Sequence, residues 1–304
     1  MKLFPHREFG YYSFALHAGL LNLFSNGMRL GVKKTIGKIT QPINGYSRFP
    51  EYYWFETAIR NHQGAATASS RLKILDVGSP KMLGLYLASN TEAEIMLTDI
   101  SATNVDEYQT MWQALQAKAR GQASFSLQDA RSLNFPDAEF DVVFSMSVIE
   151  HIEGEQGDSQ AIHELLRVLK PGGLLALSVP FGAHYVEQKR IGFAGAARKT
   201  GDSETYFFQR IYDRGAFQKR ILEQASDLNE ITLTAVARRN QWLVRAFGSL
   251  GESARGAVGF VNPLLSVAIN RSSNGVENSF KGSYGDLHSA SDVYGDLILT
   301  GHKK

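Results

Sequence analysis

Residues 140–180 of the chain read FDVVFSMSVIEHIEGEQGDSQAIHELLRVLKPGGLLALSVP. A short, continuously apolar run opens this stretch, apolar residues at helical spacing follow, and a second apolar run comes after Lys-Pro-Gly-Gly. Asp158 is placed to cap the helix. Strand, helix and strand in this order predict a βαβ unit with parallel strands. Because both strands are apolar throughout, we expect helices to cover both faces of the sheet.

The same alternation of strand and helix runs upstream of this unit. Short apolar runs predict strands over residues 71–78, 93–99 and 123–129, with a helix over Lys81 to Ser89 between the first two. Ser101 is placed to cap a further helix, because its hydroxyl oxygen can accept a hydrogen bond from a free N–H group of the first turn. We therefore predict an α/β fold with a Rossmann-like, doubly wound and mostly parallel sheet.

The regular alternation ends after Gly182. Asp213 is placed to cap one more helix, and residues 230–239 and 292–302 predict the last two of seven strands. The connection between these two strands, residues 240–291, is rich in glycine, serine and asparagine. A connection of that length usually has its own structure or a function such as a lid.

The chain thus divides into a helical N-terminal cap and one large domain. In the cap, Pro50 opens the aromatic-rich helix EYYWFETAIR, which is either core or a lid over a substrate site. The same alternative applies to a second group of side chains, Tyr206, Phe207, Arg210 and Tyr212. We assign the cap to residues 1–70 and the domain to 71–304, with a core at 71–182, substrate-side helices at 183–229 and an insertion at 240–291.

Composition limits the class of protein. Apolar residues make up 43% and charged residues 20% of the chain, which is ordinary globular usage. Cysteine is absent, so disulfides, cysteine-ligated metals and a cysteine nucleophile are excluded, and a reducing compartment fits. No stretch approaches the roughly 18–20 apolar residues of a membrane span. We expect a soluble, cytoplasmic protein that holds no metal.

Charge is concentrated near the N-terminus. Residues 1–50 carry seven lysines and arginines against a single glutamate, beside the apolar stretch Phe14 to Phe24. Such a segment is usually a solvated face, and the alternative is peripheral contact of residues 10–40 with an anionic membrane surface. No basic stripe or RNA-binding signature accompanies it, so we do not expect nucleic acid as a partner.

The residues that close the strands carry the chemistry, because ligands of open α/β sheets bind at the carboxyl ends of the strands. Gly78 closes the first strand, where a glycine lets the backbone approach a ligand. Asp99 closes the second, about 20 residues beyond that turn, where a carboxylate can accept hydrogen bonds from ribose hydroxyls. Asp129 closes the third beside the small Ala130, where an adenine amino group can donate.

Four motifs in this order resemble the class I S-adenosylmethionine-dependent methyltransferases, notably the small-molecule branch called type 11. The match covers about 110 residues, from 72 to 182, and its second half is the more specific. The motifs are ILDVGS (74–79), LTDIS (97–101), LQDARSLNFPDAEFDVVFSMSVIEHI (127–152) and RVLKPGGLLALSVPFG (167–182).

The resemblance implies S-adenosylmethionine as cofactor and an antiparallel last strand. Gly78 would approach its methionine moiety, Asp99 its ribose and Asp129 its adenine. The stretch from Ser145 to Ser147 would line the site beside the activated methyl group. The candidate cofactor-binding residues are Asp76, Gly78, Ser79, Asp99, Ile100, Asp129, Ala130, Ser145 and Met146.

Catalysis would depend on the residues just beyond the fourth strand. An oxygen acceptor needs a base, and His151 has a suitable ordinary pKa. Glu150 would orient that histidine or bind substrate. The implied reaction is methyl transfer to a small-molecule, lipid-linked or sugar-linked acceptor, on oxygen as our working hypothesis.

The first turn departs from the family pattern. Members read D-x-G-x-G-x-G there, whereas Pro80 and Met82 occupy the second and third glycine positions. Proline removes a backbone donor, so the turn either reshapes the amino-acid pocket or marks a weak or lost cofactor site. A non-catalytic scaffold therefore stays open as an alternative. A dinucleotide-dependent oxidoreductase is disfavoured, because G-x-G-x-x-G is absent.

Overall fold

A computed structural model describes residues 11, 13–14, 17–18, 48–65, 71–191, 205–238, 276–282 and 295–304. The helices are α1 (Arg48–Ala65), α2 (Met82–Asn90), α3 (Ala102–Leu115), α4 (Gly157–Val168) and α5 (Arg214–Phe217), the last continuing as a π-helical turn (Gln218–Leu222). The strands are β1 (Lys73–Val77), β2 (Glu94–Asp99), β3 (Gln122–Leu127), β4 (Phe140–Met146), β5 (Leu169–Phe181), β6 (Val186–Ile191), β7 (Thr205–Ile211), β8 (Leu228–Arg238), β9 (Val276–Gly282) and β10 (Gly295–Lys303).

The main sheet has the strand order β3-β2-β1-β4-β5-β10-β8-β9. Strands β1 to β5 pair in parallel, and β10 inserts antiparallel between β5 and β8. The doubly wound sheet with an antiparallel last strand is therefore confirmed. The strand order reverses at β1, between β2 and β4, and ligands of such sheets bind in the crevice above this point.

Strand β9 adds an eighth strand that the sequence pattern did not predict. It pairs antiparallel with β8, from Leu233 opposite Gly282 to Arg238 opposite Val276. Its sequence, VENSFKG, lies within the range expected to form an insertion and lacks the continuous apolar run that marks the buried strands. The sheet is thus extended at the edge farthest from β3.

Two apolar layers cover the sheet. Helices α1, α2 and α3 lie against one face, where Phe55 of α1 meets Phe144 of β4 edge to face at a centroid distance of 6.0 Å. Helices α4 and α5 lie against the other face, with Leu165 and Phe217 completely buried. Fully burying a side chain of this size stabilises the fold by about 1.5–3 kcal/mol. Helix α1 is thereby anchored over β4, β5 and β10.

Two of the three predicted helix caps are confirmed. Ser101 accepts a hydrogen bond from the backbone N–H of Asn104 at 3.4 Å, and Asp213 accepts one from Ala216 at 2.8 Å. The prediction for Asp158 was wrong, because α4 begins one residue earlier and places this side chain inside the first turn. Asp158 is completely buried there and is paired with Arg220 at 2.8 Å.

A two-stranded hairpin, β6 with β7, stands apart from the main sheet. Its polar strand β6, VEQKRI, has no buried apolar run, and sequence analysis did not predict it. Arg210 of β7 is buried and donates to the carbonyl oxygens of Ile152 at 2.6 Å and of Gly154. The hairpin is therefore held against the loop that follows β4.

The predicted membrane contact of residues 10–40 and most of the predicted insertion at 240–291 lie outside the described residues. Within the described part of the chain, no helix has the length and apolar character needed to cross a membrane.

Candidate functional site

A cavity of about 470 Å³ opens at the carboxyl ends of β1 to β4. This volume falls in the range of roughly 300–1,000 Å³ that is typical of ligand sites. The hairpin forms one wall of the cavity, opposite the strand ends. Residues from both sides line it, among them Gly78, Asp99, Asp129, Ala130, Tyr206 and Phe207.

Gly78 brings bare backbone to the cavity wall. Its φ is +70°, a conformation that side-chain-bearing residues rarely adopt. A Cβ atom at this position would lie 2.5 Å from Cγ1 of Val148. Its N–H donates to the carbonyl oxygen of Thr98 at 3.0 Å, which ties the end of β1 to β2. Only glycine fits this turn.

Asp76 and Ser79 flank the glycine but are buried inside the turn. Asp76 Oδ1 accepts from the N–H of Ser79 at 3.1 Å. Burial raises the pKa of Asp76 to about 6, although the nearby ammonium of Lys81 acts in the opposite direction. Asp76 is therefore a carboxylate held at the back of the site by its own turn.

Ser145 and Met146 also face the first turn and do not line the cavity. The hydroxyl of Ser145 donates to the carbonyl oxygen of Val77 at 3.0 Å. The N–H of Met146 donates to the hydroxyl oxygen of Ser79 at 2.9 Å. These bonds join β4 to the turn after β1, and Ser147 is the residue from this stretch that reaches the cavity.

Asp99 is fixed at the end of β2 by the helix that follows. Its Oδ1 accepts from the N–H of Ser101 at 2.9 Å, and its Oδ2 lies 3.3 Å from Nδ2 of Asn104. The next residue, Ile100, lines the cavity with 66% of its surface exposed. A carboxylate beside an exposed apolar side chain suits a ligand that combines hydroxyls with a flat ring.

Asp129 and Ala130 lie at the same end of the cavity, in the turn after β3. Asp129 is paired with Arg131, whose Nη2 lies 2.6 Å from Oδ2. Hydrogen bonds from Arg131 lower the pKa of Asp129 below its ordinary value, so the carboxylate stays charged near neutral pH. The three predicted strand-end residues Gly78, Asp99 and Asp129 thus meet at one cavity.

His151 lines the cavity on the β4 side, in a single 3-10 turn that also holds the buried Glu150, which is not among the lining residues. His151 Nδ1 is 2.6 Å from the carbonyl oxygen of Phe208 on the hairpin. Because a carbonyl oxygen only accepts, Nδ1 carries a proton, and in the neutral ring Nε2 then keeps its lone pair. Nε2 lies 3.7 Å from Oε1 of the buried Glu150. This carboxylate can stabilise a protonated imidazole.

Glu51, in the first turn of α1, is a residue that sequence analysis missed. Its side chain is completely buried, and Oε1 accepts from the hydroxyls of Ser147 at 3.1 Å and Ser178 at 2.7 Å. Ser147 has a φ of +51°, and its N–H donates to Ser178. The helix that carries Glu51 was noted for its aromatic residues, but helical periodicity does not reveal which strand ends a helix will reach.

Lys81 was also missed, since it lies between the two replaced glycine positions and was taken as an ordinary helix residue. Its side chain is only 2% exposed. Nζ donates to the carbonyl oxygen of Ser79 at 2.6 Å and lies 3.6 Å from Asp76 Oδ1 and 3.8 Å from Asp99 Oδ2. The signal in the sequence is that Asp76 and Asp99 lie at the ends of neighbouring strands and Lys81 follows the turn between them, so the lysine is near enough to pair with both acids.

The hairpin supplies further residues to the cavity. Tyr206 and Phe207 line it, which places them at the site rather than in the core. Arg210 and Tyr212 do not line it. They join the buried network around Asp158, which accepts from the Tyr212 hydroxyl at 2.7 Å.

Comparisons with known proteins agree with this geometry. Residues 75–177 match a family model described as a methyltransferase domain. Over 87 residues the chain is 33% identical to the 27-O-demethylrifamycin SV methyltransferase of Amycolatopsis mediterranei. The aligned segment covers 29% of this chain and 31% of that protein. Over 114 residues it is 30% identical to an O-methyltransferase of Aspergillus sclerotiorum, covering 37% of this chain and 41% of the relative.

A solved structure of an S-adenosylmethionine-dependent methyltransferase from Methanosarcina mazei aligns with a TM-score of 0.49 at 18% identity, over 81% of this chain and 96% of that one. The chain spans about a third to two fifths of the length of the two curated relatives. Residues 75–177 are thus similar to a methyltransferase domain, as the sequence motifs predicted, and the strand order agrees with the Rossmann-like sheet expected from those motifs.

Proposed function

We propose that the chain binds S-adenosylmethionine along the carboxyl ends of β1 to β3 and transfers its methyl group to a hydroxyl oxygen of a small molecule. The observation that carries the proposal is the meeting of Gly78, Asp99 and Asp129 at one cavity. Asp99 would accept from the ribose hydroxyls. Asp129 would accept from the adenine amino group, and Ile100 and Ala130 would contact the faces of the ring.

The residues present fit this cofactor. Gly78 lines the cavity, and the space that a Cβ atom would need there is already taken by Cγ1 of Val148, so the backbone stays bare at the wall. Asp129, Ser147 and His151 line the same cavity, and the strand order puts Asp129 on its β3 side and His151 on its β4 side. S-adenosylmethionine supplies a methyl group already activated on a sulfonium, and the task of the protein is to hold the acceptor in line with it.

His151 is the proposed base. Its Nδ1–H bond to Phe208 leaves Nε2 as a proton acceptor, and Glu150 stabilises the charge that the ring gains. Accepting the proton of a hydroxyl as the oxygen attacks is the task that an imidazole performs near its ordinary pKa. The matched segments of two O-methyltransferases support an oxygen acceptor.

The acceptor end is walled by apolar and aromatic side chains, with Ile152 and Phe207 beside Tyr206. This wall favours an acceptor that presents an apolar or ring-bearing portion next to its hydroxyl. Small hydroxylated aromatics fit it directly. Lipid-linked and sugar-linked hydroxyls remain part of the proposal as acceptors of the same reaction.

Isothermal titration tests cofactor binding, with S-adenosylmethionine and its demethylated product S-adenosylhomocysteine as ligands. We expect both to bind the wild-type chain, and a panel of phenolic, lipid-linked and sugar-linked hydroxyl compounds then tests transfer with labelled cofactor. If a demonstrably folded protein gives no heat at millimolar cofactor, the proposed function is refuted.

A non-catalytic binding protein is the second candidate, and the first turn is the observation that favours it. Pro80 and Met82 stand at two family glycine positions, and Met82 is buried. Cofactor binding without transfer to any acceptor in the panel would support this candidate.

A further inference from the structure

Lys81 occupies a place where a lysine is costly. It is buried, and it immediately precedes α2, where the positive end of the helix dipole disfavours a cation. Lysines are almost never fully buried unless they are paired. Among the described residues, Lys81 is the one lysine or arginine that forms an ion pair with Asp76 or Asp99. Pairing with Asp76 and Asp99 therefore explains why a lysine is buried at the start of α2.

The ammonium connects two strand ends. Asp76 belongs to β1 and Asp99 to β2, and Lys81 Nζ lies 3.6 Å from one carboxylate and 3.8 Å from the other. Asp99 also raises the pKa of Asp76, because two nearby carboxylates disfavour each other's charge. Lys81 therefore offsets a repulsion that would otherwise act on the carboxylate at the cavity wall.

The same three groups indicate what kind of ligand atom they suit. Two carboxylates and one ammonium leave a net negative charge, so a ligand carboxylate is disfavoured beside them. A hydroxyl is favoured, because it donates to Asp99. Lys81 is closed off from the cavity, whereas Asp99 lines it, so the effect of Lys81 reaches a ligand through Asp99.

We propose that Lys81 is a positioning residue for ribose recognition: it holds the carboxylate of Asp99 in place for the ribose hydroxyls of the cofactor, in a turn where Pro80 and Met82 stand at two family glycine positions. The inference rests on the proposed function. It concerns the nucleoside part of the cofactor and assigns no contact between Lys81 and the amino-acid part.

The test measures dissociation constants of three ligands for the wild-type chain and Lys81→Met. S-adenosylhomocysteine is complete, 5′-methylthioadenosine lacks the amino-acid part, and 2′,3′-dideoxyadenosine lacks both ribose hydroxyls. We expect Lys81→Met to weaken the first two by the same factor, roughly tenfold, as for loss of one charged partner. Binding of the dideoxy compound should not change. Lys118→Met, which removes an exposed lysine, is the matched control.

Loss of the ammonium leaves two carboxylates facing each other, so folding needs its own control. The double variant Lys81→Met/Asp76→Asn removes one carboxylate together with the ammonium and preserves the net charge of the group. It should fold and still show the selective loss for ligands with ribose hydroxyls. In an Asp99→Ala background, Lys81→Met should cause no further loss, because the effect acts through Asp99.

Three results would overturn the proposal. Weakening of S-adenosylhomocysteine alone would assign Lys81 to the amino-acid carboxylate. Equal weakening of all three ligands would indicate a general packing role, and no weakening would leave Lys81 without a role in binding. A wild-type chain that binds none of the ligands refutes the proposed function itself, and the inference about Lys81 falls with it.

Discussion

The two ends of the cavity are built in different ways. At the end proposed to bind the cofactor, Asp99 and Asp129 are fixed by bonds within the turns that end their own strands, and Gly78 is fixed by a bond to the neighbouring strand. At the acceptor end, the residues come from distant segments, so that His151 is held by Phe208 of the hairpin. The first construction joins neighbouring strand ends, while the second depends on how remote parts of this chain meet.

The largest expected effect is that of a substitution at His151, which should change catalysis without changing cofactor binding. His151→Gln removes the proposed base, so we expect kcat to fall by about 10²–10⁴-fold, the usual contribution of general base catalysis. The dissociation constant of S-adenosylhomocysteine should stay unchanged, because the ring lies at the acceptor end. Steady-state kinetics and titration measure the two quantities. A parallel loss of cofactor affinity would mean that the two ends are not independent.

A second substitution acts at the cofactor end. Asp99→Ala removes the carboxylate proposed to accept from ribose, and the lost charged hydrogen bonds predict an affinity loss of roughly 10–100-fold. Asp106→Ala, which changes an exposed aspartate of α3, is the matched control and should bind normally. Equal affinities for the two variants in titration would contradict the assignment of Asp99.

A third substitution tests whether the cofactor end depends on backbone shape. Gly78→Ala places a Cβ 2.5 Å from Val148 in a left-handed conformation, so we expect a loss of about 1–3 kcal/mol in the free energy of unfolding. At Gly64 of α1 a Cβ meets nothing within 4 Å, and Gly64→Ala should be neutral or slightly stabilising. Urea denaturation compares the two alanine variants. Similar stabilities would show that the turn tolerates side chains.

The smallest effect concerns the pair Asp129–Arg131. Because Arg131 lowers the pKa of Asp129 in the folded state, the pair stabilises the fold above the unfolded pKa of 3.8 and loses this contribution as the pH falls through the folded value. We expect Arg131→Gln to cost less than about 1 kcal/mol at pH 7. The difference from wild type should vanish in strong acid.

Urea denaturation at a series of pH values checks this, with Arg120→Gln as control for an exposed pair with Glu92. The lowered pKa of Asp129 predicts that the destabilisation by Arg131→Gln becomes smaller as the pH falls. A destabilisation that becomes larger instead would contradict this prediction.

Sequence patterns predicted that Gly78, Asp99 and Asp129 would meet at one edge of the sheet, because each of them lies at or just after a strand end. The apolar run of β2 ends at Asp99, so the carboxylate lies at the carboxyl edge of the sheet whatever the fold of the remaining chain. The same reasoning located Gly78 and Asp129. It was less accurate for Ser145 and Met146, whose side chains lie on the inner side of the β1 turn.

The acceptor end was only partly predictable, since its contacts are made across long sequence separations. His151 was expected, but its partner Phe208 lies in a polar hairpin that has no buried run to mark it. Glu51 reaches Ser178 over 127 positions of sequence. Asp158 was wrongly predicted to be a helix cap for a related reason. Its partner Arg220 lies 62 residues further along the sequence, so the pattern around Asp158 does not reveal this contact.

The contact between the hairpin and His151 is made by a main-chain oxygen. The side chain of Phe208 packs beside the ring and under Arg190, but it does not set which nitrogen bears the proton. Under the proposed function, substitutions at 206–208 would therefore change which acceptors bind while the histidine keeps its tautomer. A change of acceptor preference and retention of the proposed base are separable in this arrangement.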